Sequence, residues 1–244
     1  MMKQTQLTIT ENKKIAANTF RLILSGDCSA MRGAGQFINI LIPAKFLRRP
    51  ISVCDYSAES LCIIYKTVGE GTEILSRMQS GETIDALVGL GNGFDLTKDT
   101  KKPLLIGGGV GVPPLYKAAK DLIDAGKSVS VILGFNTKDE IFYKEEFEAL
   151  GCRVIVTTVD GSAGTKGFVS DVMDEIDYDY FYACGPKPMF EAIEKIARTS
   201  GQYSFEERMG CGFGACMGCT CKTKQGNKRI CKEGPVLERE EILW

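Results

Sequence analysis

Cysteine crowds one end of this chain, and the crowding limits what that end can become. Of ten cysteines in 244 residues, five stand between Cys211 and Cys231, while Cys28, Cys54, Cys62, Cys152 and Cys184 are scattered singly. The segment reads Met209-Gly-Cys-Gly-Phe-Gly-Ala-Cys-Met-Gly-Cys-Thr-Cys, with Lys228-Arg-Ile-Cys following. Residues 203–244 show little apolar periodicity, so their order is expected to come from a metal. Met1 to Thr10 contains no apolar signal core, and a cysteine cluster in such a chain reads as a metal site rather than as disulfides. The chain has no histidine, which excludes His-ligated haem, Rieske centres, histidine zinc sites and His-based catalytic triads.

Cys211, Cys216 and Cys219 are separated by four and then two residues, the plant-type spacing for a 2Fe-2S cluster, which a later thiolate completes. Gly210, Gly212, Gly214 and Gly218 suit a loop whose amides must approach sulfur closely. Cys221 and Cys231 compete to be the fourth ligand. Cys221 would have to turn back tightly, whereas Cys231 is remote enough to close the loop from the other side, which favours it. A structural zinc site also takes four thiolates, but here the CxxC pair at 216 and 219 has no second CxxC to match it.

Upstream the pattern divides in two. From Lys3 to Val88, short β-rich runs cover Gln6–Thr10, Thr19–Leu24, Gln36–Ile42, Ile51–Cys54, Leu61–Thr67 and Thr83–Leu87. Their Gly, Pro and Asp punctuation fits an antiparallel barrel. One helical segment, Thr72–Met78, interrupts them before the Ser80-Gly81 turn. After the connector Gly89–Lys102, strand-like runs at 103–107, 128–133, 153–158 and 178–184 alternate with helix-like runs, including Pro113–Ala125 and Lys187–Arg198. That alternation argues for a parallel α/β sheet. The expected division is 1–99 as barrel, 100–202 as α/β domain and 203–244 as cluster module.

Thirty basic against thirty-one acidic residues leave a formal charge of −1, which gives no footprint for nucleic acid or an acidic membrane surface. No apolar run reaches the eighteen or so residues of a membrane span, so a cytoplasmic address is expected. In the α/β half, Gly107-Gly-Gly-Val-Gly-Val-Pro-Pro follows an apolar strand and opens a helix, where amides and a helix N-terminus can hold a pyrophosphate. Its glycines depart from GxGxxG, no acidic ribose clamp stands at the expected distance, and a tight turn without a ligand is the alternative reading.

Taken together, Arg48-Arg-Pro-Ile-Ser, then Gly69-Glu-Gly-Thr, then the Gly107 loop, then Cys184-Gly-Pro resemble the ferredoxin reductase family. The resemblance implies an FAD-binding barrel and an NAD-binding α/β domain. It places flavin on Arg49, Pro50, Ile51 and Ser52, on Ile64, Tyr65 and Lys66 of the next strand, and on Gly71 and Thr72. It places the dinucleotide on Gly107, Gly108, Gly109 and Gly111, with Cys184, Gly185 and Pro186 bordering the nicotinamide.

The tail, with Arg229-Ile-Cys-Lys-Glu-Gly-Pro and a terminal Trp244, is similar within that family to electron-transfer subunits of NAD-dependent dihydroorotate dehydrogenases. There the fourth ligand lies in the motif matching Arg229 to Pro235, which implies Cys231. The resemblance further implies an FMN-containing catalytic partner, a heterotetramer of two subunits of each kind, and electron flow through 2Fe-2S and FAD to NAD in pyrimidine biosynthesis. No side-chain acid or base is then expected in this chain, and the apolar Met209, Phe213 and Met217 become candidates for the partner surface. Flavin subunits of NAD(P)H-dependent ferredoxin reductases and sulfhydrogenases share the same plan. The run Gly134-Phe-Asn-Thr-Lys-Asp-Glu carries one lysine and no arginine cluster, which favours NAD over NADP.

Overall fold

The computed structural model describes residues 2–244. Six strands form the first half: β1 (Lys3–Ala16), β2 (Thr19–Ser25), β3 (Phe37–Ile40), β4 (Arg49–Tyr56), β5 (Ser60–Lys66) and β6 (Thr83–Leu90), with α1 (Glu70–Arg77) between the last two. They close into a barrel in the order β1-β2-β5-β4-β3-β6. Every pairing is antiparallel. Alternate residues point inward, as the two-residue period of a strand requires: Leu7 and Ile9, Leu22 and Leu24, Ile38 and Ile40, and Ile84, Ala86 and Val88 fill the interior.

A break in that alternation turns part of β4 outward. Val53 pairs with Ile63 and Asp55 with Cys62, leaving Cys54 as the extra residue of a bulge. Cys54 therefore joins the core shared with the second half, whereas Val53 stays inside the barrel.

The second half runs β7 (Pro103–Gly108), α2 (Pro113–Asp124), β8 (Ser130–Phe135), α3 (Lys144–Ala149), β9 (Arg153–Thr158), β10 (Thr165–Lys166), β11 (Tyr180–Cys184) and α4 (Lys187–Ile196), then β12 (Gly201–Ser204). The hairpin β13 (Thr220–Thr223) and β14 (Gly226–Arg229) follows, and β15 (Val236–Glu238) ends the series. The sheet order is β10-β9-β8-β7-β11-β12-β15, all parallel except β15. One face packs on α2 and the barrel's outer wall, through Leu105, Leu115 and Tyr182 against Cys54, Ile64 and Phe94. The other face packs on α4 and the cysteine tail, through Phe181, Phe190 and Tyr203 with Cys219, Ile230 and Cys231.

Two features differ from the sequence expectation. The tail is not ordered by its cysteines alone, because β15 adds an edge to the main sheet and buries Val236 and Leu237. The division at 202/203 falls inside β12 for the same reason. In addition, α1 begins at Glu70 rather than Thr72, because Thr72 Oγ1 accepts the N–H groups of Val68 (3.0 Å) and Gly69 (3.3 Å) and so closes the turn ahead of itself.

Candidate functional site

The cysteine loop owes its shape to residues with left-handed backbone. Gly212 (φ +79°), Gly214 (φ +92°) and Met217 (φ +61°) bend it, and the bends aim amides at sulfur. Cys211 Sγ accepts from the N–H groups of Ala215 (3.2 Å) and Cys216 (3.4 Å). Cys216 Sγ accepts from Cys211 and Gly218, each at 3.5 Å. Cys231 N–H lies 3.4 Å from Cys219 Sγ. These amide contacts thus link Cys211 with Cys216 near the surface and Cys219 with Cys231 in the interior. Among the described residues no group of three or more Cys, Asp or Glu side chains is arranged for a single ion. Two pairs suit a two-iron cluster, in which each iron takes two thiolates, better than one tetrahedral ion.

The charge balance differs between the two ends of the loop. Burial alone would raise the Cys211 thiol, but the backbone donors of Cys216, Phe213 and Ala215 and the Cys216 side chain bring it down to about 6. Burial and the neighbouring Cys219 push Cys231 up to about 12. A cation between the buried pair reverses that balance, since coordination deprotonates a thiol. Arg229 braces the loop, with Nη1 on Gly214 O at 2.7 Å and Nε on Glu233 Oε2 at 2.9 Å, and it holds the Glu233 carboxyl down to about 2. Cys221, the rival fourth ligand, instead lines a cavity of about 470 Å³ with Lys187, Phe205 and Trp244. Burial and the Glu207 carboxylate raise its thiol.

The flavin candidates converge on one end of the barrel. A Cβ on buried Gly71 would sit 2.8 Å from Arg49 Nε, so the absence of a side chain lets the guanidinium lie over the first turn of α1. Arg49 Nη1 donates to Leu47 O at 2.6 Å, which orients the group. A fixed cation beside a helix N-terminus can hold phosphate. Pro50, Ile51 and Ser52 continue along β4 and are half-buried. On β5, Ile64 is buried toward the α/β half. Tyr65, 3% exposed, turns into the barrel and donates to Asn12 Oδ1 at 3.0 Å, so only its backbone faces outward. Lys66 Nζ is paired with Glu140 at 2.8 Å. Thr72 is the capping residue described above.

The dinucleotide candidates also come together. Gly107 closes on Val112, Gly108 on Met189, and a Cβ on Gly111 would meet Cys184 O at 2.2 Å. The Gly107–Gly111 turn is therefore seated on Cys184-Gly185-Pro186 at the ends of β7 and β11, beside β5. Gly109 (φ +53°) has no atom near its would-be Cβ, leaving its face open. Burial pushes the Cys184 thiol up to about 12, so it stays uncharged there.

Two contacts around the site were not singled out by any sequence signal. Arg48, next to the flavin candidate Arg49, binds Asp85 and the backbone carbonyls of Asn39 and Asp85. Asn39 on β3 reaches the cysteine loop, with Nδ2 3.1 Å from Cys211 O. Only the alternation of β3 could have flagged it, as a polar residue in an otherwise apolar strand.

Residues 206–243 match the iron-sulfur cluster binding domain of dihydroorotate dehydrogenase B, and residues 105–195 match the oxidoreductase NAD-binding domain. The chain is 46% identical to the dihydroorotate dehydrogenase B (NAD(+)) electron transfer subunit of Geobacillus sp. (strain WCH70), covering 100% of both chains. It is 43% identical to the protein of that name from Fusobacterium nucleatum, covering 99% of each. Among solved structures, the NADH-dependent reduced ferredoxin-NADP oxidoreductase superposes with a TM-score of 0.89 at 33% identity, covering 98% of this chain and 90% of that one. A Neisseria gonorrhoeae ferredoxin NADP+ reductase with bound FAD and NADP shares the fold, with a TM-score of 0.67 at 18% identity over 80% of this chain and 92% of that one.

Proposed function

Because the chain belongs to the family of dihydroorotate dehydrogenase B (NAD(+)) electron transfer subunits, we propose that it takes electrons from an FMN-containing catalytic subunit and delivers them to NAD+. The observation that carries this reading is the set of amide-to-sulfur contacts that links Cys211 with Cys216 and Cys219 with Cys231 within the matched iron-sulfur segment. Units 1–99, 100–202 and 203–244 take the flavin, dinucleotide and cluster roles respectively. When bound, a 2Fe-2S cluster carries single electrons and FAD converts between single electrons and hydride.

The chain's own residues do the positioning. Arg49, Gly71 and Thr72 form the phosphate end of the flavin cradle, and Pro50, Ile51, Ser52, Ile64, Tyr65 and Lys66 form its wall. Gly107, Gly108, Gly109 and Gly111 let a pyrophosphate approach the start of α2, while Cys184, Gly185 and Pro186 border the reacting end. No carboxylate or thiolate is asked to move a proton, so catalysis rests on orientation. Exposed Phe213 and Met217 beside the ligand loop suit the partner contact, with Met209 half-buried next to them. A heterotetramer with two of each subunit, in the cytoplasm, completes the reading. Among the described residues no helix is long and apolar enough to cross a membrane.

A second reading, a subunit of a ferredoxin-linked NAD(P)H oxidoreductase, is favoured by the 0.89 fold match. One set of measurements separates the readings. Anaerobically purified chain, alone and co-expressed with the catalytic subunit, is analysed for iron, sulfide and released flavin, then mixed with NADH or NADPH. FAD with about two irons and two sulfides per chain, bleached faster by NADH and co-eluting with a dihydroorotate-oxidising subunit, is the expected result. A colourless zinc protein overturns both readings, and a loaded chain that binds no such subunit leaves the second.

A further inference from the structure

One buried polar side chain is used by neither the flavin motif nor the cysteine spacing. Asn39 sits in β3 and is 1% exposed. Its Nδ2 donates to the Cys211 carbonyl at 3.1 Å. Its Oδ1 has no hydrogen-bond partner among the described residues. Because the Cys211 carbonyl is an acceptor, it dictates which end of the amide faces it. Ile38 and Ile40 fill the barrel, while Asn39 shares the outer face of β3 with apolar Phe37; a half-satisfied buried amide is a net cost there, so packing alone gives no reason for asparagine.

The backbone of the same residue is tied to the opposite side. Asn39 pairs with Pro50 of β4 and with Leu87 of β6. Pro50 has no N–H to offer across the ladder, and Arg48 Nη1 supplies a donor to Asn39 O at 3.3 Å and to Asp85 O at 3.2 Å. Arg48 Nη2 also forms an ion pair with Asp85 Oδ1 at 2.5 Å. The cysteine loop is shaped to receive the amide, since a Cβ on Gly212 would lie 2.4 Å from Asn39 Nδ2. One residue therefore joins the strand beside Arg49-Pro50-Ile51-Ser52 to the peptide of the first cysteine in the loop.

We propose that Asn39 is a positioning residue that locks the Cys211 end of the cluster loop to the flavin strand and so fixes how the two redox sites face each other. The inference rests on the functional reading above. Partners outside the ligand set that orient a metal's ligands are worth about 10- to 100-fold in affinity or activity. Leucine repeats the branched four-atom skeleton of asparagine with no donor or acceptor, so Asn39→Leu removes the tether on the outer face of β3 while Ile38 and Ile40 still fill the barrel.

The test uses the cofactor-loaded chain in complex with its catalytic subunit. For Asn39→Leu, flavin content and the rate of flavin bleaching by NADH are expected to match the wild type. Cluster reduction followed by freeze-quench EPR is expected to slow, with shifted g values, and iron loss to a chelator to quicken, each rate by about 10-fold or more. Asn39→Ala, which removes the amide without adding bulk, is expected to reproduce these changes and serves if Asn39→Leu fails to fold. Unchanged g values and unchanged iron loss in the folded variant overturn the inference while leaving the functional reading intact. A wild-type chain that holds no cluster overturns both together.

Discussion

Within the cysteine loop, neighbouring thiols have opposite fates. Cys219 and Cys221 are two residues apart, but Cys219 is buried against Cys231 while Cys221, paired with Lys228 in the hairpin, faces the cavity near Trp244. Cys231→Ser is therefore expected to lose most of the iron, whereas Cys221→Ser keeps it, as iron per chain and the visible spectrum will report. An iron-free Cys221→Ser protein would reassign the fourth ligand. Spacing proposed Cys211, Cys216 and Cys219 because their intervals are short enough to be read along the chain. It left Cys221 against Cys231 open because the side of a strand on which a residue lies depends on hairpin register. Asn39 and Arg48 were illegible for a related reason: their partners, Cys211 and Asp85, lie far along the chain.

Among the elements, the strands of the barrel were legible because burial on one face leaves a two-residue alternation. The short strands β12 and β15 were not, since four and three residues carry no readable period. The glycine turns were legible as turns, but why each must be glycine is a tertiary fact. Gly111 is needed because Cys184 O occupies the space of its Cβ. Gly111→Ala is accordingly expected to push the β7–α2 turn off Cys184 and weaken NADH binding by about 2 kcal/mol, roughly thirtyfold, with flavin content unchanged. Gly71→Ala is expected to give the opposite pattern, displacing Arg49 and raising the flavin dissociation constant by about tenfold without altering the NAD-binding half. Titrating each variant with NADH and with FAD checks both, and a shared loss of the two ligands would show that the substitutions act on folding instead.

At the scale of the whole molecule, the barrel and the α/β half must hold a fixed orientation if flavin and nicotinamide are to meet. Apolar packing of Cys54, Ile64 and Phe94 against Leu115 and Tyr182 supplies adhesion, but such packing is not directional. Direction comes from polar contacts at the rim. Lys66 Nζ meets Glu140 Oε1 at 2.8 Å, Ala17 N–H donates to Asp139 O at 2.8 Å, and Lys120 Nζ meets Asp55 Oδ2 at 2.6 Å. Burial works to raise the Glu140 carboxyl, yet Lys66 and the Asn136 donors outweigh it and leave it below its usual 4.5. A carboxylate depressed in the folded state contributes stability that is fully present above 4.5 and fades as pH falls through the folded value. Glu140→Gln should therefore cost about 1–2 kcal/mol at pH 7, where a half-buried Lys66 loses its counter-charge. The wild type and variant should converge as the pH drops below the carboxylate range, because the wild-type pair is then broken by protonation. Denaturant unfolding of the loaded chain at a series of pH values measures the difference directly and cancels the other carboxylates. A gap that persists unchanged into acid would mean that Glu140 acts through packing, leaving Asp139 and Lys120 to set the angle between the two halves.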